Sequence, residues 1–168
     1  MQIDFLCVPI FEQKVIVGFL QDKICFVSTL NENENSIKKY FKNRNAKIVQ
    51  SSKNPKFYTE LFQNIILGKK TIDWNELKLD GTEFQLKVWH ELWKFNNLNC
   101  LMYYSDFAKH INHPKATRAV AHVIGLNPIL ILIPCHRVVS KNETVSYRNN
   151  DIFMKKWLQN KENILSLN

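Results

Sequence analysis

The sequence has no apolar run long enough to cross a membrane, and its first residues lack the features of an export signal. Its longest uninterrupted apolar stretch, residues 129–133, ends at Pro134, whereas a membrane-spanning helix requires ~20 such residues. The first residues contain neither a basic segment nor a long apolar core. These absences predict a soluble protein that acts in the cytoplasm without a membrane partner.

Cysteine is scarce and scattered. The four cysteines form no Cys-x-x-Cys pair and lack histidines at the spacing of zinc ligands. They are Cys7, Cys25, Cys100 and Cys135. The sequence therefore predicts free thiols in a reducing compartment, with no bound metal and no cofactor. A metal site built from Cys7, Cys25 and a distant histidine is the alternative to packing of these two residues in strands.

Acidic residues are outnumbered by basic ones. The chain of 168 residues has 15 Asp and Glu against 23 Lys and Arg, a formal charge of +8. This excess predicts a polyanionic partner such as nucleic acid, because contacts from Lys and Arg to phosphates release counterions. A basic surface without such a partner is the alternative.

Cys135 is the first candidate for chemistry. Pro134 restricts the backbone that leads into it, and His136 and Arg137 follow it directly. A free thiol titrates near ~8.5, and a neighbouring imidazole or guanidinium lowers this pKa. The pattern therefore predicts a nucleophilic thiolate. A cysteine that simply packs in the core is the alternative.

The first 30 residues predict a β-hairpin. Residues 14–20 and 23–30 are rich in β-branched and aromatic side chains, which favour strands. Gln21 and Asp22 between them suit a tight turn.

A domain boundary is expected near residue 80. Residues 36–43 and 55–67 have the pattern of helices. Periodicity is lost over residues 69–81, which predicts a structural domain of residues 1–80 and a second domain of residues 81–168. In the second domain, Thr82 and Gln85 have the spacing of a capping box at the start of a helix.

Two short helices with a tight break between them are predicted next. Residues 104–111 form the first, and residues 115–124 form the second after Pro114. This is the shape of a helix-turn-helix, in which the second helix enters a DNA groove. Lys115 and Arg118 stand near the start of that helix, where such side chains contact DNA. Small residues on the helix allow close approach to a backbone, and close packing of two helices is the alternative reason for them: Ala116, Ala119 and Ala121.

The end of the chain predicts one strand and one helix. Residues 129–133 are expected to form a short buried strand or extended segment that leads to Cys135. A final helix over residues 150–162 brings Glu162 into the same half of the protein.

Residues 134–139, which read Pro-Cys-His-Arg-Val-Val, resemble the active-site signature of the O6-alkylguanine-DNA alkyltransferases. Three further stretches are similar to this family in order and spacing. They are Gly81-Thr82-Glu83-Phe84-Gln85 with Val88-Trp89, Pro114-Lys115-Ala116 with Arg118-Ala119-Val120, and Asn127-Pro128 before the apolar run. The resemblance covers residues 81–165.

This resemblance implies an α+β fold. The N-terminal domain would be a sheet-and-helix domain of the ribonuclease H-like type, and the C-terminal domain would be mostly helical with a helix-turn-helix. The implied function is direct repair of double-stranded DNA that carries O6-alkylguanine, with O4-alkylthymine as a second candidate substrate. The alkyl group would move irreversibly to a cysteine of a monomeric protein, so each molecule would act once.

Four residues are implied in the chemistry. Cys135 would be the alkyl acceptor, and His136 would be the base that removes its proton through a water molecule. Glu162 would orient and polarise that histidine, as the third group of a catalytic relay does. Asn127 would be the hinge residue between the recognition helix and the active-site segment.

Five residues are implied in DNA binding. Arg118 would insert into the duplex and fill the gap left by the target base, while Tyr104 would push the phosphate that starts the rotation of that base. The remaining three would complete the surface against the DNA: Lys115, Ala116 and Ala119.

The implied substrate pocket contains Val138, Tyr147, Arg148 and Asn149. The family has a tyrosine and paired glycines between the nucleophile and the last helix, where this sequence reads Ser146-Tyr147-Arg148-Asn149-Asn150. Glycine gives a backbone freedom that other residues lack. The shape of this pocket lid, and the size of the alkyl group accepted, are therefore expected to differ.

Two other functions remain open from the sequence. Some relatives bind alkylated bases without repairing them, but they carry another residue at the nucleophile, and Cys135 argues against this function. A cysteine hydrolase would ordinarily draw its histidine from elsewhere in the sequence. It would also leave Arg118 and the recognition helix without a role.

Overall fold

The computed structural model describes residues 1–142, 148 and 151–164, which form a mixed α+β fold, as predicted. The strands are β1 (Gln2–Ile10), β2 (Gln13–Leu20), β3 (Lys23–Val27), β4 (Lys47–Gln50), β5 (Met102–Tyr103) and β6 (Val138–Val139). The helices are α1 (Glu34–Tyr40), α2 (Pro55–Ile66), α3 (Glu83–Lys94), α4 (Tyr104–His110), α5 (Thr117–Gly125) and α6 (Ile152–Lys161). None of the helices in these ranges is long and apolar enough to cross a bilayer.

The N-terminal half is a sheet of four strands in the order β3-β2-β1-β4. β1, β2 and β3 are antiparallel neighbours, and β4 runs parallel to β1. Gln21 and Asp22 both have positive φ, 51° and 64°, which is the conformation of the two-residue turn that matches strand twist. The predicted hairpin is confirmed, although β3 ends at Val27 and not at residue 30.

Helices α1 and α2 are capped by asparagine side chains at their first turns. Asn33 Oδ1 accepts from Asn35 N, so α1 begins at Glu34, two residues before the predicted start at residue 36, and it ends at Tyr40, three residues before the predicted end at residue 43. Asn54 Oδ1 accepts from Lys56 N at the start of α2. Gly68, with φ of 68°, follows the end of α2 in the left-handed conformation that favours glycine.

Apolar side chains pack on both faces of the sheet. Because successive strand residues point to opposite faces, Val15 and Val17 of β2 join one cluster while Ile16 joins the other. The smaller cluster packs under α1 and includes Cys25. Cys7 is exposed, so the prediction that it packs is wrong. The larger cluster continues from the sheet and α2 into the helices of the second half.

Helix α3 begins with the predicted capping box. Thr82 Oγ1 accepts from Gln85 N at 3.2 Å, and Gln85 Oε1 accepts from Thr82 N at 2.9 Å. Further along the helix, Trp89 is buried and its Nε1 donates to the carbonyl of Val123 at 2.9 Å. This hydrogen bond joins α3 to α5, the helix that precedes the segment of residues 126–135.

Helices α4 and α5 pack together and are joined by residues 111–116. Helix α5 begins at Thr117, two residues later than predicted, and ends at Gly125. Lys115 and Ala116 therefore lie before the helix and not within it. The last helix is also shorter than predicted, because Asp151 caps it by accepting from Met154 N and it ends at Lys161.

Candidate active site

The segment that leads to Cys135 is not a strand, contrary to the expectation for residues 129–133. Ile131 has a φ of 72°, and Leu132 N donates to the carbonyl of Leu130 at 2.8 Å, the hydrogen bond of a γ-turn. A β-branched residue with positive φ is rare and costs about 1–3 kcal/mol. The surrounding structure therefore imposes this turn, and an apolar run does not reveal it.

A second tight turn delivers the cysteine. Pro134 has φ of −80° and ψ of 60°, and Cys135 N donates to the carbonyl of Ile133 at 2.8 Å. These values are those of an inverse γ-turn, which proline favours by fixing φ. Cys135–Arg137 then form one turn of 3-10 helix that continues into β6. Two consecutive turns thus place the thiol next to the histidine and arginine that follow it.

Asn127 holds both turns with a fully buried side chain. Its Oδ1 accepts from Ile129 N at 2.9 Å, and its Nδ2 donates to Ile133 O at 2.9 Å. The same Nδ2 donates to Cys135 Sγ at 3.2 Å. The side chain thus connects the start of the segment, its end and the thiol, which is more than the hinge role expected from the sequence.

Replacement of Asn127 by Ala is expected to destabilise the protein and slow its chemistry. The buried N–H of Ile129 loses its acceptor, which costs about 1–3 kcal/mol, whereas the carbonyl of Ile133 still accepts from Cys135 N. Urea denaturation measures this loss. Asn160→Ala, at an exposed position of α6, is the matched control and is expected to change stability by less than about 0.5 kcal/mol. Equal stability of the two variants would contradict the role of Asn127.

The thiol of Cys135 is buried, with 3% of the residue exposed. Burial raises its pKa because the charged form loses solvation. The hydrogen bond from Asn127 and the charges of Arg148 and Lys155 act in the opposite direction without cancelling the effect of burial. The resting residue is therefore a protonated thiol, and it needs a base to become a nucleophile.

His136 and Arg137 share one carboxylate. His136 Nε2 lies 2.8 Å from Glu162 Oε1, and Arg137 Nε donates to Glu162 Oε2 at 3.0 Å. The prediction that these two residues lower the pKa of Cys135 is wrong, because that pKa lies above its ordinary value and Asn127, Arg148 and Lys155 supply the opposing effects.

Glu162 is held in its charged form by these two partners. Burial by itself would raise its pKa, but His136 and Arg137 together outweigh that effect. The pKa of this carboxyl is therefore below its ordinary value. The negative charge of Glu162 orients the His136 ring through Nε2. Nδ1 is the ring nitrogen that Glu162 does not engage.

Arg137 has a second task that the sequence pattern does not reveal. Its Nη1 donates to the carbonyl of Phe95 and to that of Leu98, the latter at 2.5 Å. These carbonyls follow α3, so Arg137 joins the end of that helix to Glu162. Its place directly after Cys135 and His136 is the one sequence signal for this role.

Lys155 of α6 is a second buried cation that sequence reasoning missed. Only 4% of it is exposed, and Nζ donates to the carbonyl of Val138 at 2.8 Å. Burial lowers its pKa to about 8, while the nearby Cys135 raises it. Nζ also lies 5.7 Å from the centre of the Tyr104 ring. The sequence contains no signal for this role, because Lys155 and Lys156 are adjacent and only the structure shows that Lys155 is the buried one.

Two further predicted site residues lie near this lysine. Tyr104 is the first residue of α4 and is 7% exposed. Val138, expected in the substrate pocket, is buried in β6, which pairs in parallel with β5. The structure thus places Tyr104 and Val138 around Lys155.

Four of the five predicted DNA-binding residues lie on or just before α5, and the fifth, Tyr104, begins α4. Lys115, Arg118 and Ala119 are exposed, and Ala116 is half-buried at the cap of the helix. Leu126 directly after the helix is exposed as well, whereas Asn127 is fully buried. Residues 126–134 join the end of α5 to the buried thiol of Cys135.

Arg148 binds two backbone carbonyls. Its Nη1 donates to the carbonyl of Val27 at 2.6 Å, and its Nη2 donates to the carbonyl of Asn127. Tyr147 and Asn149, the other predicted residues of the pocket lid, lie outside the described residues. The place of Arg148 in a substrate pocket stays a prediction.

The four cysteines are free thiols. Cys7 and Cys100 are exposed, and Cys25 and Cys135 are buried. In the part of the chain that the structure describes, no group of three or more His, Cys, Asp or Glu could hold a metal ion.

Residues 83–164 match the family described as 6-O-methylguanine DNA methyltransferase, DNA binding domain. This range begins with α3 and includes α5, Cys135 and Glu162. The sheet of the N-terminal half lies outside it.

Curated proteins of the same type are similar over longer or shorter stretches. A probable methylated-DNA--protein-cysteine methyltransferase of Acanthamoeba polyphaga mimivirus is 46% identical over 85 residues, 49% of this chain and 54% of that protein. The methylated-DNA--protein-cysteine methyltransferase of Salmonella typhimurium is 34% identical over 120 residues, 70% of this chain and 68% of that protein. The chain spans about half the length of the first curated relatives that it matches.

The whole fold is also similar to a solved structure. The crystal structure of Mycobacterium tuberculosis O6-methylguanine methyltransferase superposes with a TM-score of 0.76 at 21% identity, over 99% of this chain and 96% of that one. This similarity extends the likeness in fold to the N-terminal half. The matched stretch of the Salmonella relative covers two thirds or more of both proteins. The chain therefore belongs to the methylated-DNA--protein-cysteine methyltransferase family.

Proposed function

We propose that this protein repairs DNA by moving the alkyl group of O6-alkylguanine to Cys135. The observation that carries the proposal is the buried thiol, hydrogen bonded to Asn127 at 3.2 Å and followed directly by a histidine paired with Glu162. A nucleophile, a base and a group that orients the base are the parts that a covalent transfer requires.

His136 is the base in this proposal. Its Nε2 is engaged by the Glu162 carboxylate, so the ring proton lies on Nε2 and Nδ1 carries the lone pair. Nδ1 is buried and has no hydrogen-bond partner among the described residues. It can therefore accept the proton of the Cys135 thiol through a bridging water molecule, and Glu162 stabilises the resulting imidazolium.

The transfer is a single displacement at carbon. The Cys135 thiolate attacks the alkyl carbon, a carbon–sulfur bond forms, and the bond from that carbon to O6 breaks with its electron pair remaining on guanine. The leaving base is neutralised by a proton from the site. A thioether is not reversed by thiol exchange, as a disulfide would be. Each molecule therefore transfers one alkyl group.

The target base must leave the duplex to reach a thiol that is only 3% exposed. Extrusion of a base costs a few kcal/mol. Arg118, exposed near the start of α5, offsets part of this cost by filling the gap, and Tyr104 contacts the phosphate. Lys115, Ala116 and Ala119 complete the contact surface, with α4 and α5 as a helix-turn-helix.

The finer organisation belongs to the same proposal. Residues 1–80 form a structural domain of the ribonuclease H-like type, and residues 81–168 form the DNA-binding and alkyl-acceptor domain. The protein acts as a monomer on double-stranded DNA. Val138 and Arg148 line the pocket for the alkylated base, together with the predicted lid.

Arg118→Ala is expected to slow repair of duplex DNA by about tenfold, equivalent to about 1.4 kcal/mol. Its reaction with the free base O6-benzylguanine is expected to be unchanged, since no base has to be extruded. Lys56→Ala, at an exposed position of α2, controls for the loss of one positive charge. Single-turnover rates on both substrates make the measurement, and equal slowing on both would refute the proposed insertion of Arg118.

The proposed function is tested with a duplex that carries one O6-methylguanine, in excess over the protein. The number of lesions removed is expected to equal the number of protein molecules and then stay constant. Tight binding without loss of the lesion would identify a non-enzymatic reader of alkylated bases. Continued turnover, or hydrolysis of model esters with the lesion intact, would identify a hydrolase.

A further inference from the structure

The N-terminal sheet meets the active-site segment edge to edge. Val27, the last residue of β3, donates from its N to the carbonyl of Pro128 at 3.0 Å. Val27 and Ile129 also form a parallel bridge. The backbone that follows Asn127 is thus attached to the end of a strand in the four-stranded sheet.

Arg148 spans this junction from a third part of the chain. One arm of its guanidinium donates to the carbonyl of Val27, at 2.6 Å, and the other donates to the carbonyl of Asn127. The carbon between the arms lies 5.2 Å from the centre of the Phe26 ring. A planar fork that binds two acceptors at once fixes their relative position in a way that one ammonium group does not.

Asn127 passes this restraint on to the nucleophile. While its carbonyl accepts from Arg148, its side chain binds the backbone of Ile133 and the Sγ of Cys135. A displacement of the Asn127 backbone would therefore move the amide that positions the thiol. The contacts form a continuous path from β3 through Arg148 and Asn127 to Cys135.

We propose that Arg148 is a positioning residue through which the N-terminal sheet sets the place of the Cys135 thiol. The N-terminal half then contributes to the reaction, although it supplies no group that touches the alkylated base. One readout, the rate of alkyl transfer, rests on the function proposed above. The other readout, the reactivity of the Cys135 thiol toward a small reagent, is independent of that function.

The test compares Arg148→Ala and Arg148→Lys with wild type in the full-length chain. Arg44→Ala is the matched control, because Arg44 binds Asp80 at 3.0 Å and lies over the Tyr40 ring but is not part of the path to Asn127. Thermal unfolding identifies the temperature range in which every variant is folded. All rates are then measured within that range.

The first readout is carboxamidomethylation of Cys135 by iodoacetamide as a function of pH, followed by peptide mass spectrometry. Cys7 and Cys100, both exposed, serve as internal references. The groups that act on Cys135 are Asn127, Arg148 and Lys155, with His136 next in the chain. Arg148→Ala is expected to move the pH midpoint for Cys135 upward, whereas the references and Arg44→Ala keep theirs.

The second readout is single-turnover transfer from O6-benzylguanine. A misplacement of the thiol is expected to slow Arg148→Ala by roughly 10- to 100-fold, with an intermediate rate for Arg148→Lys, which can bind one carbonyl. An unchanged pH midpoint with slower transfer would overturn the proposal, because Arg148 would then act only through its predicted contact with the substrate and not on the thiol. Wild-type rates and midpoint with a lower melting temperature would also overturn it, since Arg148 would then be structural only. If wild type transfers neither from O6-benzylguanine nor from a duplex that carries O6-methylguanine while the iodoacetamide midpoint still shifts, the proposed function fails and the positioning role stands.

Discussion

Cys135→Ala is expected to abolish alkyl transfer completely and to leave binding of duplex DNA within about twofold of wild type. The sulfur of Cys135 is the only protein atom proposed to form a bond with the substrate, so its removal leaves no slower route for alkyl transfer. The proposed binding of DNA is expected to depend instead on phosphate contacts of basic side chains, which the substitution does not alter. Ala removes one sulfur from a site that is 3% exposed, so the fold is expected to remain.

Replacement of the other cysteines provides the control for this result. Cys7→Ala and Cys100→Ala remove exposed thiols and are expected to transfer at the wild-type rate. A filter-binding assay at fixed salt concentration measures affinity, and loss of O6-methylguanine measures transfer. Residual transfer by Cys135→Ala, or loss of transfer in either control, would place the acceptor elsewhere.

Glu162→Ala is expected to give the largest loss of stability together with a nearly complete loss of transfer. Glu162 is the carboxylate for both His136 and Arg137, whose side chains are 0% and 7% exposed. Removal of one partner from a buried ion pair costs about 3–5 kcal/mol, because the remaining charge is left uncompensated. A base without its orienting group is expected to work about 10²- to 10⁴-fold more slowly.

Glu162→Gln separates the two effects. The amide preserves the volume and can still accept from Arg137, so stability is expected to fall less than in Glu162→Ala, while transfer remains slow. Glu60→Gln, at an exposed position of α2, is the matched control. Transfer by Glu162→Gln at the wild-type rate would contradict the role of this carboxylate.

The stabilisation by Glu162 has a defined dependence on pH. Its pKa is lowered in the folded protein, with the effect of burial outweighed by His136 and Arg137. The contribution is therefore fully present above the pKa of the unfolded chain, about 4.3, and is lost as the pH falls through the lower value of the folded state. The stability difference between wild type and Glu162→Gln is expected to be constant near neutral pH and to shrink below about pH 4. Urea denaturation across this range measures it.

Local signals in the sequence were sufficient where neighbours along the chain decide the structure. The capping box of Thr82 and Gln85 and the turn at Gln21 and Asp22 formed as predicted. In both, the interacting groups lie within a few residues of one another in the sequence. The adjacent Cys135 and His136 pointed to the candidate site, which stays a prediction. The resemblance to the alkyltransferase family predicted the order of the remaining elements along the chain.

Other features depend on residues far away in the sequence and could not be predicted. The apolar residues around Ile131 have the composition of a strand. In the structure they form a turn in which Ile131 has a positive φ and the side chain of Asn127 binds Ile129 N. Burial determined the pKa of Cys135, whereas its charged neighbours in the sequence suggested the opposite direction. The buried Lys155 showed no pattern that separates it from a surface lysine on an amphipathic helix.

The central claim is that Cys135 receives the alkyl group, and one measurement tests it most directly. Wild-type protein is incubated with duplex DNA whose O6-methylguanine carries an isotopically labelled methyl group, and every cysteine peptide is then analysed by mass spectrometry. We predict one labelled methyl group per protein molecule, on Cys135 alone. Label on Cys7, Cys25 or Cys100, or labelled methanol in solution with an unmodified Cys135, would contradict the account.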